Sequence, residues 1–350
     1  MLKQVQHDGK AKPRYAPGMI FLLPLLLAAA PQPSALKGFH DWTVGCDNGL
    51  ACHAVALVPE PWPDDSLTMS VRRGAEAGAQ PEIAFDLGSL GDAAALSADG
   101  RRLPARLIGG PDGETRVAAA DVAAVIAALR SAARLQLLGA GGKPLGTVSL
   151  KGASAALLYM DEQQRRIGTP TALVRRGDGP SAAALPPLPV VAAPPVSRAG
   201  PLALSSAWIR ALRKKHGCTL DEVGGPEEAE ASTLTASETL LLLACGSGAY
   251  NVSFVPFVVR RGGRAEIAPF DHRPGWWAEE GKPILVNASW DKERGLLTSF
   301  SKGRGLGDCG TDSEYAWDGR AFRLVRQAEM DECRGSRDFI TTWRARVVRR

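Results

Sequence analysis

Hydrolytic chemistry needs a nucleophile, a base to take its proton and a carboxylate to orient the base. Beyond residue 35 the chain offers histidines at 40, 53, 216 and 272. His216 ends a helix pattern, where its charge suits the helix dipole. His40 and His53 flank a short cysteine loop and read as solvated loop positions. His272 stands apart, between Asp271 and Arg273 in the segment APFDHRPGWW, which also carries Trp276 and Trp277. Gly246-Ser247-Gly248 lacks the GxSxG spacing of a nucleophile elbow. The carboxylate pairs Asp64-Asp65, Glu227-Glu228 and Glu279-Glu280 are sequence neighbours, which on a strand point to opposite faces and so cannot flank one glycosidic bond. The stretches GAGGKP and SKGRGLGDCG lack the order of a phosphate-binding loop. No catalytic residue, cofactor or metal is therefore expected, and Cys46-x5-Cys52 beside His53 has no zinc spacing.

Binding suits the same segment better. A Trp pair bounded by Pro and Gly and set beside an arginine can stack on sugars or anchor a protein partner. The expected binding residues are Asp271, His272, Arg273, Trp276 and Trp277, and the expected partner is an envelope protein or glycan. Trp290, Trp317 and Trp343 fall on strand patterns and read as core. Two alternatives stay open. One is an envelope hydrolase built around Asp271, His272 and Arg273, which requires His272 within hydrogen-bond reach of a carboxylate and a nucleophile. The other is an inhibitor of a cell-wall hydrolase that presents a protruding loop such as 271–280. Arg260, Arg261 and Arg264 read as a solvated hairpin tip, and Arg344, Arg346, Arg349 and Arg350 as a chain end.

The elements that must position these residues are α+β and mainly β. Two domains are expected, each an antiparallel sheet or β-meander with one or two helices. The first spans 36–176, with strands at 39–44, 54–58, 67–72 and 82–87. A helix capped by Asp121 follows, with Val122, Val125, Ile126 and Leu129 on one face, then a hairpin at 134–150 and a short helix around 157–160. Residues 177–201 are rich in Pro and Ala and nearly uncharged, the composition of a semi-extended linker. The second domain spans 202–350. Its opening helix has Ser205 as N-cap and Gly217 beyond its end. Strands follow at 240–244, 252–259, 284–290 and 296–300, then a hairpin across Asp318-Gly319-Arg320 and a last strand at 340–348.

Residues 1–35 read as a signal peptide: Lys3, Lys10, Lys12 and Arg14 precede the apolar run MIFLLPLLLAAA and small residues. That run spans roughly 18 Å as a helix, short of a bilayer core of about 30 Å, so no transmembrane segment is expected after its removal. The six cysteines lie beyond it, an even number suited to an oxidising compartment, periplasmic or secreted. Locality pairs them as Cys46–Cys52, Cys218–Cys245 and Cys309–Cys333. A chain of 350 residues with 45% hydrophobic and 23% charged residues excludes a mostly disordered or polytopic membrane protein. The net charge of +5 loses its hint of nucleic acid once located. Residues 1–35 hold four Lys/Arg against one Asp, so +3 belongs to the signal and +2 to the rest.

Several motifs carry a resemblance. Phe39-x-Asp41-Trp42-x-Val44-x-Cys46-Asp47-Asn48 with Cys52-x-Ala54 resembles the opening of the exported bacterial family called domain of unknown function 1176. Gln164-Arg165, Gly168-Thr169, Ala172-Leu173-Val174, Trp317-Asp318-Gly319 with Phe322, and Cys333-Arg334-Gly335 fit the same family. The first domain is also faintly similar to the invasion-associated locus B family, through Trp42-x-Val44-x-Cys46 and Ser149-Leu150-Lys151-Gly152 with Ala155-Ala156-Leu157. Both resemblances imply an exported, disulfide-bearing envelope protein, and neither implies catalytic residues.

Overall fold

The computed structural model describes residues 30–87, 93–110, 114–180, 185–218, 229–272, 274 and 282–350. The fold is mainly β. In the N-terminal half the strands are β1 (Lys37–Phe39), β2 (Trp42–Cys46), β3 (Cys52–Ala56), β4 (Thr68–Arg73), β5 (Glu82–Asp86), β6 (Ala95–Ala98), β7 (Arg101–Arg102), β8 (Leu107–Gly109), β9 (Thr115–Val117), β10 (Arg134–Leu138) and β11 (Pro144–Ser149). Helix α1 (Val122–Leu129) precedes β10, and α2 (Ala153–Gln163) follows β11. A seven-stranded sheet runs β1-β2-β3-β4-β5-β9-β8 and a four-stranded one β11-β10-β6-β7. Strand alternation decides what faces inward. In register, Val44, Ala54, Val71 and Ile83 form one row and Trp42, Ala56, Met69 and Phe85 another. Both rows pack into one core with Val125, Ile126 and Leu129 of α1 and Leu157 and Met160 of α2.

The single strand expected at 39–44 is two strands, because His40 adopts φ 55° and turns the chain between β1 and β2. Asp121 precedes α1 as expected, but its carboxylate accepts from Arg106 N and Nε instead of capping the helix. Gly152 opens α2 at φ 103°, where a Cβ would lie 1.8 Å from the Phe39 carbonyl oxygen, so only glycine fits.

The C-terminal half begins within the expected linker. Val190–Ala193 is β12, a strand in that segment, paired in parallel with the last strand of the chain. Helix α3 (Ser206–Lys215) follows, with Ser205 Oγ accepting from Trp208 N at 3.2 Å as its cap. Then come β13 (Ala229–Thr233), β14 (Glu238–Ser247), β15 (Val252–Arg260), β16 (Arg264–Ile267), β17 (Leu285–Val286), β18 (Ser289–Asp291), β19 (Leu296–Lys302), β20 (Gly310–Trp317), β21 (Phe322–Met330), β22 (Ile340–Arg344) and β23 (Arg346–Arg349). One sheet runs β13-β14-β15-β16 with β17 beside β15, the other β18-β19-β20-β21-β22. The two share a core of Leu240, Leu242, Phe254, Trp290, Tyr315, Trp317 and Phe322. Helix α3 covers the opposite face of the first of them through Leu212, Trp208 and Ile209. Trp290 and Trp317 are core, as their pattern predicts, and half-buried Trp343 donates its Nε1 to Leu324 O at 3.2 Å.

All six cysteines are paired: Cys46–Cys52, Cys218–Cys245 and Cys309–Cys333. Each half has its own core, and a further cluster joins them, in which Val55 and Leu57 meet Cys309, Met330 and Ile340.

Candidate functional site

The inner face of the first sheet is apolar, so its polar alternation must surface on the outer face. There His53, Arg72 and Glu82 stand side by side across β3, β4 and β5, and Ser70, Ala84 and Arg116 form the next row. Residues 333–344 cross part of this face on their way into β22. What remains open is a cleft of about 300 Å³ around His53 and Arg72 and a neighbouring one of about 250 Å³ around Ser70, Ala84 and Glu114.

Charges alternate along the cleft. Glu82 Oε2 lies 3.7 Å from Arg116 NH1, and Arg116 NH2 lies 3.0 Å from Glu114 Oε2. Glu114 Oε1 is 3.3 Å from Arg72 NH2, which also donates to Asp338 Oδ2. His53 Nε2, shut off from solvent, lies 3.3 Å from the same Asp338 oxygen. Burial by itself would raise the Asp338 carboxyl, but His53 and Arg72 outweigh it and hold that carboxyl far below the usual carboxylate range. The folded-state value is depressed, so this contribution to stability is complete above the ordinary carboxylate pKa and is lost as pH falls. Asp338→Asn is expected to lower Tm at neutral pH and to differ progressively less from wild type between about pH 5 and pH 2. Because 30% of the Asp338 side chain is exposed, the difference also shrinks in 1 M salt. A gap constant across that pH range contradicts the assignment.

Two further charge-assisted contacts fix the segment over the sheet, and both use residues of the motifs that carry the resemblance. Arg334 donates to Val58 O at 2.8 Å, His40 O at 3.1 Å and Asp41 Oδ1 at 2.7 Å, while Asp41 Oδ2 accepts from Ser149 Oγ. Arg344 donates to the buried Asp47 carboxylate, and Asn48 exchanges two hydrogen bonds with the Arg344 backbone. Beneath the cysteine loop, Arg73 points inward. It donates to Asp161 Oδ1 at 2.8 Å and Gln164 Oε1 at 2.6 Å, and Asp161 also accepts from Leu173 N and Val174 N. Gln164 Nε2 donates to the carbonyls of Leu50, Arg73 and Gly74. The Gln164 and Ala172-Leu173-Val174 motifs therefore hold the cysteine loop and β4 in place.

The residues expected to bind lie elsewhere. Asp271 follows Phe270 alongside β21: its N–H donates to Phe322 O, and its Oδ1 accepts from Leu324 N at 3.0 Å. Burial pushes the Asp271 carboxyl up, against the opposing pull of Leu324 N–H and Arg323. His272 Nδ1 lies 3.2 Å from Pro31 O. Among the described residues, no hydroxyl and carboxylate converge on the His272 ring. Arg273, Trp276 and Trp277 lie outside the described residues. The structure thus holds Asp271 against β21 and places the His272 ring beside Pro31.

His53 is the residue that sequence reading misplaced. Instead of a solvated loop it occupies β3, nine-tenths buried, because residues 333–344 cover its strand. The legible signal was Arg72-Arg73: two arginines in succession on a strand must point to opposite faces, one to an outer cleft and one into the core. Among the described residues, no three His, Cys, Asp or Glu side chains gather where they could hold a metal. No helix there is long and apolar enough to cross a membrane.

The family model described as "Protein of unknown function (DUF1176)" matches residues 36–346. The chain is 29% identical over 343 residues to the uncharacterized protein YpfG of Escherichia coli (strain K12), covering 89% of this chain and 92% of that protein. The crystal structure of invasion associated protein b from Bartonella henselae aligns with 38% of this chain and 99% of its own, at 21% identity and a TM-score of 0.28.

Proposed function

The chain belongs to the family described as protein of unknown function DUF1176, and from that premise we propose that it is an exported, periplasmic or secreted binding protein without chemistry of its own. Residues 1–35 serve as its signal peptide, and 36–176 and 202–350 are its domains, joined by 177–201, of which Val190–Ala193 packs onto the second through β23. The three disulfides support the oxidising compartment.

One observation carries the non-catalytic reading. From Glu82 to His53, every charged side chain of the cleft lies within 3.7 Å of an opposite charge or, for His53, of a carboxylate. Groups committed to one another in this way stabilise the crossing of residues 333–344 and are poorly placed to shuttle protons. Binding then falls to Arg273, Trp276 and Trp277 together with Asp271 and His272, and the two hydrogen bonds of Asp271 to Phe322 and Leu324 of β21 hold that residue in place. The partner is an envelope protein or glycan.

The test is retention of a periplasmic partner or cell-wall fragment on immobilised protein. The Trp276→Ala/Trp277→Ala variant is expected to lose at least about tenfold of it, in keeping with the weight of Trp at interface centres. Equal retention by the variant excludes the Trp pair.

A further inference from the structure

The C-terminal sandwich has an open side. Strand β13 is the edge of one sheet and β18 the edge of the other. Between them lies a cleft of about 600 Å³, lined by residues 196–199 and 201 on one side and by Trp290 among others. Its backbone chemistry follows from the ladder. Leu234 N donates to Glu238 O in the same register that pairs Ser232 with Leu240 and Glu230 with Leu242. Hydrogen-bonded pairs recur every second residue in an antiparallel ladder, so Ser232 and Glu230 bond to β14. The N–H and C=O groups of Ala231 and Thr233 therefore point to the free edge, and both residues line the cleft. Thr233 Oγ1 donates to Ala199 O at 2.6 Å and holds the opposite wall in place. Arg198 and Lys292 also line the cleft, against one carboxylate, Glu293.

We propose that this cleft binds an extended acidic peptide segment of a partner protein, which adds as a strand to the edge of β13. Unpaired backbone donors and acceptors in a row supply affinity to any extended chain, and the flanking side chains select among them. The two cations favour carboxylates at the alternate positions that face them. Binding at this edge does not depend on the reading given for residues 271–277.

The experiment is fluorescence anisotropy of the full chain with two labelled seven-residue peptides, alternating Glu and Val or alternating Lys and Val. The Glu peptide is expected to bind at least about tenfold more tightly than the Lys peptide. Ala231→Pro removes only the donor facing the free edge, a position where an edge strand tolerates proline. It is expected to weaken binding by about tenfold or more while leaving Tm within a few degrees of wild type. Arg198→Glu/Lys292→Glu, two side chains lining the cleft, is expected to reverse the peptide preference even if the proline variant folds poorly. Three results overturn the proposal: binding of neither peptide, equal binding of both by wild type, or self-association of the chain through β13 that Ala231→Pro abolishes.

Discussion

Asp161→Ala is expected to cost about 3–5 kcal/mol of stability, the range seen when one partner of a buried ion pair is removed. Asp161 and Arg73 have no exposed side-chain surface, and Arg166, also fully buried, lies close by. Burial pulls both arginines down from the usual guanidinium range, opposed by the Asp161 charge. Arg166 is otherwise served by the carbonyls of Ala75, Glu76 and Ala77. Removing the carboxylate leaves Arg73 without its counter-charge and Arg166 with only that of Glu76, and strips Leu173 N and Val174 N of their acceptor. Urea unfolding with disulfides intact measures the loss. Arg73→Met/Asp161→Leu is expected to recover part of it, because the paired charges leave together, though the two N–H groups remain unserved. A single-variant loss below about 1 kcal/mol shows that the network is solvated rather than buried.

The second large effect concerns the Cys309–Cys333 bridge. It joins residues 24 apart in sequence, and loop-closure entropy alone assigns it about 3.5 kcal/mol, against about 2.4 kcal/mol for the six-residue separation of Cys46–Cys52. Its position adds to that. Cys333 leads directly into Arg334, which grips Asp41, His40 and Val58, and into Gly335, whose N–H donates to the buried Asp308 carboxylate. Cys309→Ser/Cys333→Ser is therefore expected to destabilise more than Cys46→Ser/Cys52→Ser and to open residues 333–344 to proteolysis at temperatures where the other variant resists. The reverse order of stability rules out a latch at 333–335.

How much of this the residues announced depends on how local the signal is. Ser205 and Gly217 bound α3, Asp318-Gly319 turns β20 into β21, and cysteine locality matches the bridges, because each signal lies within one stretch of chain. Strands β6 to β9 run two to four residues, too short for periodicity to register. Strand β12 owes its form to β23, more than 150 residues away, so nothing near Val190 marks it. The ion-pair chain was hidden for the same reason: Asp338 sits in an irregular segment, and only the crossing of that segment over β3 and β4 turns it into the partner of His53 and Arg72. Residues nearly 300 positions apart meet in space, Asp41 with Arg334 and Asp47 with Arg344.

We propose that this protein binds through residues 271–277 and does no chemistry with its histidines. The most direct measurement compares partner retention and turnover of that partner for wild type, Trp276→Ala/Trp277→Ala and His53→Gln/His272→Gln. The prediction is loss of retention in the tryptophan variant, retention within about twofold in the histidine variant, and no altered partner released by any of the three. Release of a cleaved or modified partner by wild type, abolished by the histidine substitutions, contradicts it.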